Sequence, residues 1–305
     1  MRIQQQTTLA TPVAVSGVGL HSGEPVGIVL MPARDSFGIR FLRTDLLAGR
    51  AFDEVVIPAS PHFVRDARLG VRLENPSGVS VRTVEHLMAA LALSGVDNAL
   101  IEVDGPEIPI LDGSAAAYME MIRRAGLKSL GVPRRSIEVM APIRVECGER
   151  FVEASPSLAP HIEVTIDFED SAIGRQSVAF SPDDGPGMIE RLARARTFCL
   201  LSEVESMRAA GLGRGGSLDN ALVVDGGRLL NASGLRDPEE FALHKTLDLI
   251  GDLALLGAPV RGFIRAHKPG HDLNTRLAAR ILDAAAEAGQ SPIPVEPARE
   301  RRLTA

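Results

Sequence analysis

Aromatic and sulfur-containing residues are scarce in this sequence of 305 residues. It contains no tryptophan, one tyrosine and two cysteines, and aromatic residues make up only 4% of the chain. So few aromatic side chains leave little surface on which nucleic-acid bases could stack. Cys147 and Cys199 lie far apart and form no CxxC pair, which argues against a disulfide framework and against a thiolate metal cage.

Long apolar runs and blocks of one charge are also missing. No stretch reaches about 18 uninterrupted apolar residues, the length of a membrane-spanning helix, and residues 1–15 lack an apolar run of signal-peptide length. A reducing cytoplasm is therefore the expected compartment. The net charge is −6 and no five like charges occur in a row, so the basic face of a nucleic-acid-binding protein is not expected.

The order of predicted segments favours an α+β fold over a doubly wound sheet. In each half, short strands broken by glycine and proline come first, and a histidine-bearing helix, a strand and a final helix follow. Residues 84–93 lie between Thr83, a typical N-cap, and Gly95, a typical glycine just past a helix end. Asp237 precedes the longest predicted helix, which ends at Gly257. The repeated order predicts two similar, duplicated domains.

The domain boundary is predicted at residues 128–135, which contain Gly131 and Pro133 and show no apolar periodicity. The first α+β domain then covers residues 1–127 and the second covers residues 134–305. A chain of this length has room for two domains of roughly 100–200 residues each. The predicted strands are residues 13–20, 26–31, 38–42, 53–57, 70–73, 79–81, 98–103, 137–145, 161–168, 221–224, 228–231 and 260–266, and the predicted helices are residues 84–93, 114–125, 188–195, 202–210, 237–256 and 275–288.

His244 and Asp248 lie four residues apart on the longest predicted helix, so their side chains share one face. Imidazole and carboxylate at this spacing form half of a zinc site, although the same pair also suits a hydrogen bond on a helix surface. Asp252 extends this face by one turn within an otherwise apolar sequence. Two carboxylates on a largely buried helix need a compensating cation, which favours the metal interpretation.

Glu85 and His86 open the other histidine-bearing helix. In zinc hydrolases a histidine ligand often neighbours a carboxylate that takes a proton from water. The order Glu-His differs from HExxH, so no familiar zincin motif applies. Glu85 would serve equally well as a first-turn carboxylate favoured by the helix dipole, and from these residues alone both interpretations stay open.

Three further segments could contact a ligand. Residues 266–272 follow a strand and contain His267 and His271, either of which could act as a general acid near neutral pH. The glycine-rich residues 213–217 lack the spacing and the Lys-Ser/Thr end of a P-loop. His21 lies in a glycine-flanked turn after a strand, where contact with a ligand and a purely structural role are equally supported.

Six short motifs occur in order along the chain. They are residues 83–87 (Thr-Val-Glu-His-Leu), 109–114 (Pro-Ile-Leu-Asp-Gly-Ser), 195–198 (Ala-Arg-Thr-Phe), 215–217 (Gly-Gly-Ser), 244–252 (His-Lys-x-x-Asp-x-x-Gly-Asp) and 270–274 (Gly-His-x-x-Asn). Together they resemble the UDP-3-O-acyl-N-acetylglucosamine deacetylases, the zinc amidases at the committed step of lipid A synthesis in Gram-negative bacteria. The resemblance covers residues 13–279 and is specific, because several motifs match in order.

The resemblance implies two α+β domains whose helices pack together between outer sheets, with the metal site at the domain interface. It implies one catalytic Zn²⁺ per chain, held by His86, His244 and Asp248. A monomer that acts on a UDP-linked acylated amino sugar is expected.

The resemblance also implies roles for individual side chains. The implied catalytic residues are Glu85 as general base, His271 as general acid or electrostatic stabiliser, Asp252 as the residue that orients His271, and Thr197 as an oxyanion partner; the implied substrate contacts are Lys245, Phe198, Phe168 and Leu218, with Lys245 near the diphosphate. A hydrophobic acyl-binding insert is expected between residues 194 and 224, with Leu201, Met207, Leu212 and Leu218 as its walls.

Three positions depart from the family pattern. Asp170-Ser171 stand where a His-Pro pair is usual, Leu243 where arginine is common, and Gly70 where some members have cysteine. The metal-binding and proton-transfer groups are intact. Two alternatives remain: a non-catalytic sugar-nucleotide or acyl-chain binding protein, which loss of Glu85 or of a metal ligand would favour, and a zinc amidase acting on another acetamido sugar.

Overall fold

The structure is a computed structural model that describes residues 4–290. In the first half the strands are β1 (Gln5–Leu9), β2 (Val13–Val18), β3 (Pro25–Pro32), β4 (Ile39–Arg43), β5 (Val56–Pro58), β6 (Val64–Asp66), β7 (Arg72–Glu74), β8 (Ser80–Arg82), β9 (Ala99–Val103) and β10 (Leu127–Pro133), and the helices are α1 (Phe52–Val55), α2 (Glu85–Leu93) and α3 (Ala116–Ala125).

The second half repeats this mixture of short strands and helices. Its strands are β11 (Ile137–Glu138), β12 (Ile143–Cys147), β13 (Arg150–Ser155), β14 (His161–Asp167), β15 (Arg175–Phe180), β16 (Phe198–Leu200), β17 (Leu222–Asp225), β18 (Arg228–Leu229), β19 (Val260–Arg261) and β20 (Phe263–His267), and its helices are α4 (Pro186–Arg194), α5 (Leu201–Ala209), α6 (Glu240–Ala254) and α7 (His271–Glu287).

The two halves each contain a five-stranded sheet with the same strand arrangement. The order is β2-β3-β9-β4-β5 in the first and β12-β13-β20-β14-β15 in the second. In both sheets the last strand in the chain lies at the centre, antiparallel to one neighbour and parallel to the other. Antiparallel pairs predominate, which agrees with the predicted α+β class. The shared order is also the arrangement that a duplicated unit would have.

The helices pack between the two sheets. Helix α6 packs against α2 on one side and against β14 and β15 on the other, while α7 covers β12 and β13 and α3 covers β2. Helices α2 and α6 approach closely at Gly251, where a Cβ atom would lie 2.1 Å from the carbonyl oxygen of Glu85. Only glycine permits this approach. No helix within residues 4–290 combines the length and the apolarity needed to cross a membrane.

The predicted helices at residues 84–93, 114–125, 188–195 and 202–210 are confirmed as α2 to α5, and the strands predicted at 221–224 and 228–231 are confirmed as β17 and β18, which form a hairpin. Residues 128–135, predicted as an irregular linker, are instead mostly strand, because β10 pairs antiparallel with β1. Most side chains of β10 are exposed. An exposed strand needs no alternating apolar pattern, so periodicity could not reveal it.

Three other predictions were wrong in detail. Residues 53–57, predicted as a strand, form the single-turn helix α1 followed by β5, and the strand predicted at 260–266 is divided at Gly262 into β19 and β20. Helix α7 begins at His271, four residues before the predicted start at 275. His271 therefore lies in the first turn of a helix rather than in a loop, and the helix fixes its direction.

Two predicted helix caps were also wrong. Helix α2 has Val84 as its N-cap, and Thr83 adopts a left-handed conformation with φ of 59° while its hydroxyl donates to Glu107. Helix α6 starts after Glu239, and Asp237 instead accepts a hydrogen bond from the Glu239 backbone. The Thr83 side chain is thus directed to Glu107, and the Asp237 side chain binds the turn that precedes α6.

Candidate active site

Three helices bring together the side chains that the sequence singled out. Glu85 and His86 are the first two residues of α2, and His244 and Asp248 lie one turn apart on α6. The close approach of these helices makes the two pairs face each other. His271, the first residue of α7, completes the group. Residues from both halves of the chain therefore form one cluster.

His86, His244 and Asp248 form a candidate metal centre. All three are buried, and each offers a ligand atom that lies within 4.8 Å of the other two. Asp248 Oδ1 is 3.3 Å from His244 Nε2 and 3.7 Å from His86 Nε2. His244 Nδ1 is 3.0 Å from the carbonyl oxygen of Ala195. A carbonyl can only accept, so the proton is on Nδ1 and the lone pair of Nε2 is available to a metal.

The donor set fits a divalent cation. Within residues 4–290, the buried atoms without a hydrogen-bond partner include Asp248 Oδ1, the oxygen that lies near Nε2 of both imidazole rings. An unsatisfied buried acceptor costs on the order of 1–3 kcal/mol, and more when it is charged. Burial lowers the pKa of His244 to about 3, so its ring is neutral near pH 7. Two neutral imidazoles and one carboxylate are a ligand set found in catalytic zinc sites.

The Glu85 carboxylate is held beside this cluster. The side chain is buried, and its Oε2 accepts a hydrogen bond of 3.0 Å from the backbone N–H of Val71. Its Oε1 lies 3.7 Å from His271 Nε2. Glu85 also lines the cavity described below. One carboxylate oxygen is thus fixed by the backbone, while the other faces the ionisable groups of the site.

His271 belongs to a buried hydrogen-bonded group. Its Nδ1 lies 2.8 Å from Asp252 Oδ2, which also accepts a hydrogen bond of 2.8 Å from Asn274. Its Nε2 lies 3.7 Å from Glu85 and 3.9 Å from Asp248. Burial lowers the pKa of His271, but the three surrounding carboxylates outweigh that effect and raise the pKa to about 10. The imidazolium form is therefore favoured at neutral pH.

Thr197 is positioned by its backbone and lies on the cavity wall. Its N–H donates to the carbonyl of Gly113 and its carbonyl accepts from the N–H of Leu222, both at 2.8 Å. The preceding Arg196 is buried and forms an ion pair of 2.8 Å with Glu240 at the start of α6. These contacts tie the segment that carries Thr197 to α6 and to the first half of the chain.

The predicted substrate contacts are only partly on the cavity. Lys245 and Phe198 line it, and Lys245 Nζ lies 5.2 Å from the centre of the Phe198 ring. Lys245 Nζ is also 3.0 Å from Asp248 Oδ2, so its charge faces the candidate metal centre. Phe168 does not line the cavity and reaches it only through edge-to-face packing on Phe198 at 5.6 Å.

The cavity has a volume of about 460 Å³ and combines the polar cluster with apolar walls. Of the four predicted acyl-binding walls, Leu201, Met207 and Leu218 line it and Leu212 does not. Further apolar wall residues are Leu20, Leu69, Val204, Ala221, Val223 and Leu230.

Sequence reasoning assigned no role to two groups that hold the site in place. Asn274 binds the same carboxylate oxygen as His271, and its spacing of three residues from His271 on α7 was the signal that could have placed it. Glu107 is buried and accepts from the backbone of His21 and from the Thr83 hydroxyl. It lies in a turn without periodicity, so no local pattern marks it.

The three departures from the family pattern are accommodated by local contacts. Asp170 accepts a hydrogen bond of 3.1 Å from the backbone of Gly227, which joins its turn to the β17–β18 hairpin. Leu243 is fully buried in the core. Gly70 lies against Glu85, where a Cβ atom would be 2.9 Å from Oε1.

Known proteins resemble this chain along nearly its whole length. A family model described as UDP-3-O-acyl N-acetylglycosamine deacetylase matches residues 6–283. The chain is 45% identical over 283 residues to the UDP-3-O-acyl-N-acetylglucosamine deacetylase of Phenylobacterium zucineum, covering 93% of this chain and 94% of the relative. It is 44% identical over 282 residues to the deacetylase of the same name from an Anaeromyxobacter species, covering 92% and 90%. It is 41% identical over 278 residues to that of Neisseria meningitidis, covering 91% and 90%.

Proposed function

The chain belongs to the UDP-3-O-acyl N-acetylglycosamine deacetylase family, and from this premise we propose that it hydrolyses the acetamide of UDP-3-O-(3-hydroxyacyl)-N-acetylglucosamine. The products are acetate and the free amine, and the reaction is the committed step of lipid A biosynthesis. The observation that carries the proposal is the single cluster in which a carboxylate, an imidazolium and a metal-binding triad meet at one cavity.

We propose Zn²⁺ as the cofactor, one per chain, with His86, His244 and Asp248 as its ligands. This proposal is supported by the spacing of their ligand atoms and by the buried Asp248 Oδ1, which has no hydrogen-bond partner. When bound, the metal would supply Lewis acidity toward the amide carbonyl and the attacking water. Zinc with three protein ligands keeps a further position open, as catalysis requires.

Glu85 is the proposed general base. Its Oε2 is held by Val71, its Oε1 lies 3.7 Å from His271 Nε2, and the residue lines the cavity. Glu85 would take a proton from the water that attacks the acetamide carbonyl. A carboxylate held by one oxygen keeps a fixed direction for the transfer, which favours general base catalysis.

His271 is the proposed general acid. It holds a proton at Nε2 because Asp252 binds Nδ1 and carboxylates surround the ring. His271 would donate that proton to the amine nitrogen as the C–N bond breaks, and Asp252 would orient it. Thr197 is held by its backbone on the cavity wall, and its hydroxyl would donate a hydrogen bond to the developing oxyanion. Such a donor typically contributes about 2.7–4 kcal/mol.

Acetate release is the direct test of this function. Metal-loaded protein and the UDP-linked acylated sugar should yield acetate and amine in equal amounts. Protein that binds the sugar tightly but releases no acetate would favour the non-catalytic alternative. Faster release from an acetamido sugar without UDP would favour an amidase with another substrate.

Shortening the acyl chain of the substrate is expected to lower kcat/KM. We propose that the apolar part of the cavity, lined by Leu201, Met207 and Leu218, binds this chain, and that Lys245 and Phe198 contact the sugar nucleotide. Each buried methylene contributes about 0.8 kcal/mol, so removal of four should lower kcat/KM roughly 200-fold at full burial. Steady-state kinetics on a series of chain lengths measures this.

A matched pair of variants locates the acyl site. Met207→Ala should reduce the dependence of kcat/KM on chain length, since Met207 lines the cavity, whereas Leu212→Ala should preserve it, since Leu212 does not. Equal kcat/KM for the acylated and the non-acylated UDP-sugar would show that this cavity does not bind the acyl chain.

The activity should fall at high pH as His271 loses its proton. Burial lowers the pKa of His271 but the surrounding carboxylates raise it to about 10, and a bound cation would offset part of their charge. The basic limb of kcat/KM should therefore lie above the ordinary histidine range and at or below about 10. His271→Ala should remove that limb, and Asp252→Asn should move it to lower pH. An unchanged profile in His271→Ala would exclude the proton-transfer role.

We further propose a monomer that acts in the cytoplasm without nucleic acid. All the proposed catalytic and metal-binding residues come from one chain, which supports a monomer. The net charge of −6 argues against nucleic acid, and the two free cysteines fit a reducing compartment.

We also propose that the chain divides into domains at residues 1–127 and 134–305, because each part contains one of the two five-stranded sheets.

A further inference from the structure

His21 is a buried histidine outside the metal and proton-transfer groups, and both of its ring nitrogens are hydrogen-bonded. Its Nε2 lies 2.6 Å from the carbonyl oxygen of Leu69. Its Nδ1 accepts a hydrogen bond of 3.3 Å from the backbone N–H of Gly213. A carbonyl can only accept and an amide N–H can only donate. The two partners therefore select the neutral ring with its proton on Nε2.

The Leu69 side of this contact leads directly to Glu85. Leu69 is followed by Gly70, which has φ of 124° and at which a Cβ atom would lie 2.9 Å from Glu85 Oε1. Val71 comes next, and its N–H is the donor to Glu85 Oε2. The hydrogen bond from His21 thus holds the short segment 69–71 that fixes the proposed base.

The Gly213 side leads to the glycine-rich loop of the proposed acyl-binding insert. Two backbone bonds reinforce this contact, from Arg214 N–H to the His21 carbonyl and from Gly215 N–H to the Leu20 carbonyl. Gly213 itself lines the cavity together with Leu218. The turn that carries His21 is therefore attached to the loop beside the apolar cavity wall.

The position of His21 itself is fixed from behind. The buried carboxylate of Glu107 accepts hydrogen bonds from the backbone N–H groups of His21 and Ser22, at 2.9 and 2.8 Å, and from the Thr83 hydroxyl. Because the turn is anchored, the ring can transmit a displacement between its two partners rather than absorb it.

We propose that His21 is a positioning residue that aligns Glu85 and couples this alignment to the glycine-rich loop 213–217. The proposal rests on the deacetylase function proposed above. Occupation of the apolar cavity would steady the loop, and the loop would steady segment 69–71 through the imidazole ring. The acyl chain would then contribute to kcat as well as to binding.

Two conservative variants separate the hydrogen bonds of the ring. In His21→Gln the amide nitrogen reaches the position of Nε2 and keeps the bond to Leu69. In His21→Asn the amide oxygen takes the position of Nδ1 and keeps the bond to Gly213. We expect His21→Asn to lower kcat about 10–100-fold with little change in KM, since a misplaced base has effects of this size. His21→Gln should keep kcat for a short-chain substrate within about threefold and should remove the increase in kcat that the long acyl chain provides, because the bond to Gly213 is lost.

The metal content and melting temperature of each preparation are measured alongside the kinetics. His62→Asn is the control. His62 is exposed, and its Nε2 lies 3.6 Å from Asp283, which is not among the groups that contact His21. Wild-type kcat in a folded, metal-loaded His21→Asn variant would overturn the proposal, as would equal loss of kcat in both variants. Absence of acetate release from the wild-type protein would instead reject the deacetylase function.

Hydrogen exchange on the wild-type holoprotein gives a test that needs no variant. Adding the product amine with its acyl chain should slow exchange at both the Val71 and the Gly213 amides, since both donate to the coupled groups. Slower exchange at Gly213 with no change at Val71 would show that the loop and the base are not coupled, and the proposal would fail.

Discussion

Replacement of Glu85 by glutamine is expected to lower kcat at least about a hundredfold, as the loss of a general base requires. The change is nearly isosteric, and the Val71 N–H can still donate to the glutamine side-chain oxygen. The fold, the metal content and the affinity for substrate should therefore persist. The measurement is kcat, metal content and melting temperature on one preparation.

The alternative for Glu85 is a structural one, because it is the acidic residue in the first turn of α2. In that role it would contribute about 0.3–1 kcal/mol to stability and nothing to the chemistry. Glu54→Gln is a matched control, since Glu54 is an exposed first-turn carboxylate in α1 that accepts from the Ala51 N–H. If the Glu85→Gln variant melted slightly lower and turned over normally, another carboxylate such as Asp252 would have to be the base.

Local patterns predicted the helices of the site well. Residues 84–93 are an apolar-rich run that stops before Gly95, and residues 237–256 open with Asp-Pro-Glu-Glu and stop before Gly257, which are signals of helix ends; α2 and α6 lie there. The spacing of His244 and Asp248 also placed them on one face of α6 without further information. These predictions depend on contacts between neighbouring turns, which the sequence encodes directly.

The meeting of the two helices could not be predicted from such patterns. His86 and His244 belong to different halves of the chain, and only the close approach at Gly251 makes them neighbours. The spacing of residues along the chain contains no such information, so their grouping came from the family resemblance. The Glu107 and His21 contacts depend in the same way on backbone groups far apart in the sequence.

The false caps at Thr83 and Asp237 have a similar origin. Both residue types favour N-caps because their oxygens accept from free helix N–H groups. In the structure the Thr83 hydroxyl donates to Glu107, and Asp237 pairs with Arg191 at 2.8 Å as well as with the Glu239 backbone. Tertiary partners compete with the local cap, and only the fold determines which of them is within reach.

Replacement of His244 by alanine is expected to abolish most of the bound metal and to lower kcat at least about a thousandfold, because Lewis acid catalysis contributes several kcal/mol. His244 supplies one of three proposed ligand atoms, and its orientation is fixed by the bond from Nδ1 to the Ala195 carbonyl. His86→Ala should have the same effect from the opposite helix. Metal analysis should find about one Zn²⁺ per wild-type chain and far less in either variant.

His161→Ala is the control for the loss of a histidine outside the site. His161 is partly exposed on β14, and its Nε2 lies 3.5 Å from Glu163 Oε1. It should keep the metal and full activity. Removal of the metal with a chelator should inactivate the wild-type protein, and added Zn²⁺ should restore its activity. The same addition should not restore the activity of the His244→Ala variant. Because Asp248 is buried and lacks a partner for Oδ1, metal-free protein should also melt at a lower temperature than the loaded form. Full occupancy in both histidine variants would mean that the metal binds elsewhere, and the buried Asp248 Oδ1 would then need another partner.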